Sequence, residues 1–252
     1  MSAGMPTRSL GESVSERRTG IRTGVVWAGL HQALRPGSQV IDIGGGTGGF
    51  AVRLAEEGHR VLVVEPSPDA LAALGRRAAE RGVAKAITAV QGDFGDLHRL
   101  AADVGGADLV LCHGVLEMVA DPSAALGTVK GALRPGGMLS LLVAQRHAAV
   151  IARAMAGHFQ QALDLLAPQE PAEPSGRTGR RFTLDELTAL LGEVGLAVET
   201  VHAVRVFTDL VPGSLLDSEA GATQALAELE QAVCERPEYL ALAAQLHLLA
   251  RA

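Results

Sequence analysis

The chain has 252 residues, 48% hydrophobic and 20% charged, which suits one large ordered α/β domain or two small ones and excludes a low-complexity chain. A formal net charge of −6 excludes a protein that grips nucleic acid with its whole surface, though it is compatible with a local basic patch. Cys112 and Cys234 form neither a metal-ligand spacing nor a disulfide framework, so no bound metal is expected. Apolar runs fall short of a membrane span, and Met1 to Gly20 contains no secretion-signal core. A cytoplasmic setting without a membrane partner is the expectation.

In chain order, residues 1–14 read as a disordered N-terminus, and 15–252 as a single domain. A helix is predicted from about Glu16 to Leu34, ending before Pro36-Gly37. Strands are predicted at Gln39–Ile43, Arg60–Glu65, Ala86–Gln91, Ala107–Cys112 and Met138–Ala144. Between them fall helices at Gly48–Glu57, Pro68–Arg81, Leu97–Val104 and Pro122–Leu133. Such alternation describes a doubly wound α/β fold, with a parallel sheet covered on both faces and right-handed crossovers. Beyond Ala144 the pattern changes to a long helix at His147–Leu166, then a Pro/Gly-rich loop at Pro168–Arg181. A helix opened by a Thr183/Glu186 capping box follows, then a strand at Leu196–Phe207, a helix at 221–235 and a last strand at Leu246–Ala252. Segments 145–181 and 208–243 read as helical additions over the sheet edges.

The chemistry-bearing feature is VIDIGGGTGGF at 40–50. Asp42 stands at the end of a strand, and Gly44 to Gly49 turn into a helix. Glycine suits a turn where backbone passes close to a ligand and takes unusual dihedrals. Two cofactor classes fit this turn. Gly44, Gly46 and Gly49 satisfy the G-x-G-x-x-G dinucleotide pattern, and Glu65 at the next strand end can accept ribose hydroxyls in either class.

Three features favour a cationic, amino-acid-bearing cofactor. Asp42 gains nothing beside a pyrophosphate. Gly92-Asp93-Phe94 places an acid and an aromatic where an adenine would lie. LRPGG precedes the fifth strand. The ordered set VIDIGGGTGG, VVEPS, VQGDF, DLVLCHGVLE and LRPGGMLSL resembles the five-motif ladder of class I S-adenosylmethionine-dependent methyltransferases. The candidate cofactor residues are Arg22, Asp42, Gly44, Gly45, Gly46, Gly48, Glu65, Pro66, Asp93, Phe94, Gly95 and His113.

A closer resemblance rests on HGVLEMVADPSAALGTVKGALRPGGMLSL, AMAGHF at 154–159, AVRVFTD at 203–209 and LHLLARA near the C-terminus. These are similar to the bacterial tRNA 5-carboxymethoxyuridine methyltransferases, which esterify a carboxylate on a modified wobble uridine. The resemblance implies a Rossmann-like seven-stranded sheet with an antiparallel last strand. It also implies cofactor roles for Arg22, Gly44, Gly45, Glu65, Phe94, Gly95 and His113. Three segments depart from the family. Ala144-Gln145-Arg146-His147 replaces an aromatic-containing stretch, Met118 stands where the family carries Trp, and the Lys-rich loop is reduced to Arg177, Arg180 and Arg181.

A carboxylate acceptor is already ionised near neutral pH and needs a cation rather than a base. Arg205 and Arg146 are the candidates, since a guanidinium binds a carboxylate at two points. The alternative for Arg205 is an exposed strand residue paired with an acid. Arg177, Arg180 and Arg181 read equally as an RNA-phosphate contact or a solvated loop. His113 can line the cofactor, act as a base toward a hydroxyl or amine, or simply pack. Cys112 reads as core, and Glu117 as a residue that caps or positions a loop. Three functional classes follow: transfer to tRNA, transfer to a small molecule, and a NAD-binding oxidoreductase or non-catalytic cofactor-binding protein.

Overall fold

The computed structural model describes residues 14–167, 179–218 and 221–252. Within them the chain runs α1 (Val14–Ala33), β1 (Gln39–Ile43), α2 (Ala51–Glu56), β2 (Arg60–Glu65), α3 (Pro68–Glu80), β3 (Ile87–Gln91), α4 (Phe94–Asp103), β4 (Ala107–His113), α5 (Pro122–Ala132), β5 (Leu133–Ala144), α6 (Arg146–Met155), α7 (Phe159–Leu166), α8 (Leu184–Glu193), β6 (Ala197–Val204), α9 (Gly213–Ser218), α10 (Ala222–Val233), α11 (Pro237–Leu240) and β7 (Gln245–Arg251). Residues 1–13, expected to be disordered, lie outside the described set, as do residues 168–178 of the expected Pro/Gly-rich loop.

The strands form one sheet in the order β3-β2-β1-β4-β5-β7-β6. β1 to β5 are parallel, and β7 runs antiparallel to both β5 and β6. The winding reverses between β1 and β4. In open α/β sheets the ligand crevice lies at such a reversal, beyond the carboxyl ends of the strands.

Side-chain alternation sends each strand into two cores. Ile41, Ile43, Val110 and Cys112 pack beneath α4, α5 and α8 with Leu97, Leu126 and Leu187. Val40, Leu109 and Leu111 pack on the opposite face with Val26, Leu30, Leu54 and Leu74 from α1, α2 and α3. Among the described residues, no helix is long and apolar enough to cross a membrane.

Several boundaries differ from the sequence reading. α2 begins at Ala51, not Gly48, because Gly48 sits at φ +81°, outside the helical region. α4 begins at Phe94, because Asp93 and Asp96 form a capping box there. β5 reaches back through LRPGG to Leu133, with a register irregularity opposite Ala107 and Leu109. Gly137 permits this: a Cβ there would lie 2.9 Å from the carbonyl oxygens of Ala107 and Arg134. The single helix expected at 147–166 is two helices. Gly157, at φ +76°, breaks the run, and α7 packs back on α6.

Candidate cofactor and acceptor site

The glycine turn stands at the winding reversal. Gly44 N–H donates to the Val64 carbonyl at 2.8 Å, tying the end of β1 to β2. A Cβ on Gly44 would lie 2.3 Å from Val115 Cγ2, and one on Gly45 would lie 2.6 Å from Asp42 Oδ2. These two glycines are thus fixed by the protein's own packing. Gly46 differs: its φ is +55°, yet among the described residues nothing lies within 4 Å of its Cβ position. Its N–H donates to Glu65 Oε2 at 3.0 Å, tying the turn to the end of β2. Phe50 closes the turn, stacked on Trp27 of α1 at 5.0 Å, and Arg53 lies 4.0 Å over the Trp27 ring.

Glu65, 8% exposed, organises the next segment. Its other oxygen, Oε1, accepts Ser67 N–H at 2.9 Å. Each carboxylate oxygen keeps a second lone pair, so ribose hydroxyls can still be accepted. The Glu65 carbonyl accepts Gly92 N–H at 3.3 Å, and Gln91 Nε2 donates to the Pro66 carbonyl at 3.1 Å. These bonds bring Glu65-Pro66 against Gly92-Asp93-Phe94. Asp93 caps α4 with one oxygen, accepting Gly95 N–H at 2.8 Å, and Phe94 is partly buried against the core.

Asp42 is 3% exposed. Burial, with the Glu65 carboxylate adding to it, pushes its pKa up to about 7. His113 is the last residue of β4, its ring edge-on to Phe50 at 4.7 Å, and burial pushes its pKa down to about 3. The imidazole is therefore neutral at physiological pH. Cys112 faces the opposite core, its thiol pushed up to about 12 chiefly by burial, and is not a nucleophile. Arg22 belongs to α1, but its side chain is outside the described residues.

A cavity of about 500 Å³ opens beside Ala144 at the end of β5, Arg205 after β6 and Gln245 at the start of β7. Its walls include Ala148, Ile151, Phe207 and Leu242, and Arg153, Arg181 and Arg205 rim it. Arg205 follows β6 at φ +62°, a conformation costly for a non-glycine residue. It pairs with Asp209, and its Nη1 donates to Gln245 Oε1 at 3.3 Å. The pairing with an acid matches one reading of Arg205, and its place on the cavity wall leaves a role toward a ligand as a proposal.

Arg146 is not a free cation. Its Nη2 contacts both Glu186 oxygens, at 2.7 and 2.8 Å, and donates to the Arg181 carbonyl at 3.0 Å. The residue expected to meet the acceptor ties α6 to the capping box of α8 instead. Arg177 lies outside the described residues, while Arg180 and Arg181 belong to a strap across the site. Arg180 N–H donates to the Glu117 carbonyl at 2.9 Å, and Phe182 N–H to the Ala144 carbonyl at 3.0 Å. Glu117, which sequence reasoning placed as a loop-positioning residue, accepts Ala144 N–H at 2.7 Å through Oε1. Its Oε2 is buried without a partner among the described residues, and burial raises its pKa.

Sequence reasoning missed the network behind His113. His202 and His247 are buried, and Ser140 links His247 to His113. His202 and His247 stand opposite one another on β6 and β7, on the same face, and a histidine among apolar residues in HAV and LHL was the available signal. Among the described residues, no cluster of His, Cys, Asp or Glu is suited to a metal ion.

Comparison with known proteins bears on this site. The methyltransferase domain family Methyltransf_12 matches residues 41–139. The tRNA 5-carboxymethoxyuridine methyltransferase of Escherichia coli strain K12 is 30% identical over 248 residues, covering 92% of this chain and 88% of its own length. An S-adenosylmethionine-dependent methyltransferase from Mesorhizobium loti superposes with a TM-score of 0.59 at 22% identity, covering 92% of this chain and 100% of its own. Magnesium protoporphyrin IX methyltransferase from Synechocystis PCC 6803, solved with bound SAH, gives 0.59 at 16% identity, covering 97% and 90%. The last two establish a shared fold. The oxidoreductase alternative falls with these results. The sequence kinship over nearly the whole chain shows the family: the chain belongs to the class I S-adenosylmethionine-dependent methyltransferases, and S-adenosylmethionine is its cofactor.

Proposed function

We propose that the chain methylates a carboxylate on a modified tRNA wobble uridine of the 5-carboxymethoxyuridine type. The observation that carries this reading is the convergence of Arg153, Arg181 and Arg205 on one cavity at the sheet edge that also holds the cofactor turn. The Escherichia coli relative named for that reaction supports it. The bound cofactor supplies an electrophilic methyl group on a sulfonium. The protein's task is then to position the acceptor and exclude water. Arg205, pre-set by Asp209 and Gln245, meets the carboxylate, with Arg181 beside it. Arg177 and Arg180 serve the flanking phosphates. The reaction takes place in the cytoplasm, where mature tRNA resides.

The test is methyl transfer to two tRNA pools, with and without the carboxymethoxy group, followed by nucleoside mass spectrometry. A base-labile methyl ester on the first pool alone is expected. Equal methylation of the second pool, or none of the first, overturns the reading. Arg205→Lys is expected to lower kcat/KM for tRNA by about tenfold or more while S-adenosylhomocysteine affinity stays unchanged.

A small-molecule acceptor is the second reading. The cavity's largely alanine and aliphatic walls and its small-ligand size favour it. Transfer into a metabolite extract, with none into tRNA, would select it.

A further inference from the structure

A string of hydrogen-bonding groups crosses the sheet beneath α1. His113 Nε2 lies 2.8 Å from Ser140 Oγ, which lies 2.8 Å from His247 Nε2. His247 Nδ1 is 3.1 Å from His202 Nδ1, with the two rings stacked at 5.2 Å and 18°. His202 Nε2 faces Glu235 Oε1 at 3.6 Å. Ser140, His202 and His247 are 0–2% exposed, whereas the Glu235 side chain is 66% exposed. α1 seals the string from above: a Cβ on Gly29 would lie 2.9 Å from His247 Cε1 and 3.1 Å from His202 Cε1.

The chemistry at one end sets every proton along the string. The carboxylate oxygens of Glu235 are acceptors, so His202 presents Nε2–H toward them and leaves Nδ1 bare. His247 must then donate from Nδ1, leaving its Nε2 bare. The Ser140 hydroxyl donates to that nitrogen, so its oxygen is free to accept from His113 Nε2–H. His113 ends with a bare Nδ1. Burial lowers the pKa of all three imidazoles, which keeps each ring neutral and the pattern intact.

We propose that Ser140, His247, His202 and Glu235 are positioning residues that hold His113 in its Nε2–H form and present the bare Nδ1 as a hydrogen-bond acceptor to an N–H donor of a bound ligand. His113 Nδ1 is buried and without a partner among the described residues, an arrangement that costs free energy unless a ligand completes it. The ring packs on Phe50, the residue that closes the glycine turn, so the ligand is one seated between that turn and β4. The amino-acid limb of the cofactor carries such a donor, and so can the methyl acceptor. The proposal rests on the cofactor site and not on the wobble-uridine reading. Its tautomer and cofactor-binding readouts need no methyl acceptor, so failure of that reading leaves it standing.

The experiment is two-bond 1H–15N NMR on protein labelled at histidine, with calorimetric titration of S-adenosylhomocysteine and of methylthioadenosine, which lacks the amino-acid limb. Wild-type His113 is expected as a single Nε2–H tautomer. Ser140→Ala is expected to turn it into a mixture of tautomers. Weaker binding of S-adenosylhomocysteine by about tenfold, with methylthioadenosine unchanged, assigns the donor to the cofactor limb. A raised acceptor KM with both affinities unchanged assigns it to the acceptor. Glu235→Ala, at the surface, is expected to abolish the single tautomer at His202 and His247 without unfolding the protein. An Nδ1–H form of wild-type His113, or unchanged tautomers in both variants, overturns the proposal.

Discussion

A Cβ placed on Gly48 would stand 2.2 Å from Leu74 Cδ1, so the cofactor turn rests directly on α3. Leu74 is wholly buried and cannot retreat. Gly48 also needs its φ of +81°, which a side chain disfavours. Gly48→Ala is expected to cost about 2–4 kcal/mol, the sum of overpacking and a left-handed alanine. Urea denaturation measures it, and a change below about 0.5 kcal/mol would refute the contact.

Glu65 serves the turn before it serves a ligand, because its two oxygens accept from Gly46 and Ser67. In Glu65→Gln one of those N–H groups meets an amide donor. Stability is expected to fall by about 1–2 kcal/mol, and S-adenosylhomocysteine affinity by about tenfold or more. Arg22→Ala is expected to weaken the same affinity. Unchanged calorimetric titrations would remove both residues from the cofactor site.

The buried ionisable groups pull stability in opposite directions with pH. Asp42 holds its proton up to about pH 7 when folded, against 3.8 unfolded. Its contribution is full at low pH and is lost as pH rises through 7. His113, His202 and His247 are held below their unfolded value of 6.5, so their contribution is present above 6.5 and is lost as pH falls from there toward the folded values, about 3 for His113. Asp42→Asn removes only the first effect. Between about pH 5 and pH 8 the variant is expected to gain on the wild type by one to a few kcal/mol. A stability difference independent of pH would show that Asp42 ionises normally.

Arg146→Ala leaves Glu186 and the Arg181 carbonyl without their shared donor. Glu186 is partly exposed, which screens the charge pair, so a loss of about 1–2 kcal/mol is expected. Cofactor affinity should remain unchanged, since Arg146 joins α6 to α8. Acceptor turnover that falls with no loss of stability would return Arg146 to the acceptor.

The donor half was largely legible because its signals are local. Glycine density marks the β1 turn and alternation marks the strands, while the helix start at Phe94, set by the Asp93/Asp96 capping box, was placed three residues late. What escaped depends on separations that no local pattern records. Arg146 reads as a free cation until Glu186, 40 residues away, closes on it. Ser140 and His247 are 107 residues apart and meet only because β7 inserts beside β5. Gly157 was visible, but alanine-rich flanks with strong helix preference masked a left-handed turn. The glycine turn itself carries two messages. Gly44, Gly45 and Gly48 answer to packing, whereas Gly46 faces open space.

β7 lies between β5 and β6 in the sheet, although it is the last strand in chain order. On a ribosome, β1 to β5 can pair as they emerge, while β6 has no neighbour until Gln245–Arg251 arrives. The five parallel strands can therefore pair first, whereas the antiparallel edge and the histidine string wait for β7. Long-range pairing of this kind is the slow step of folding. A chain ending before Gln245 would leave β6 without a pairing strand and His202 without His247.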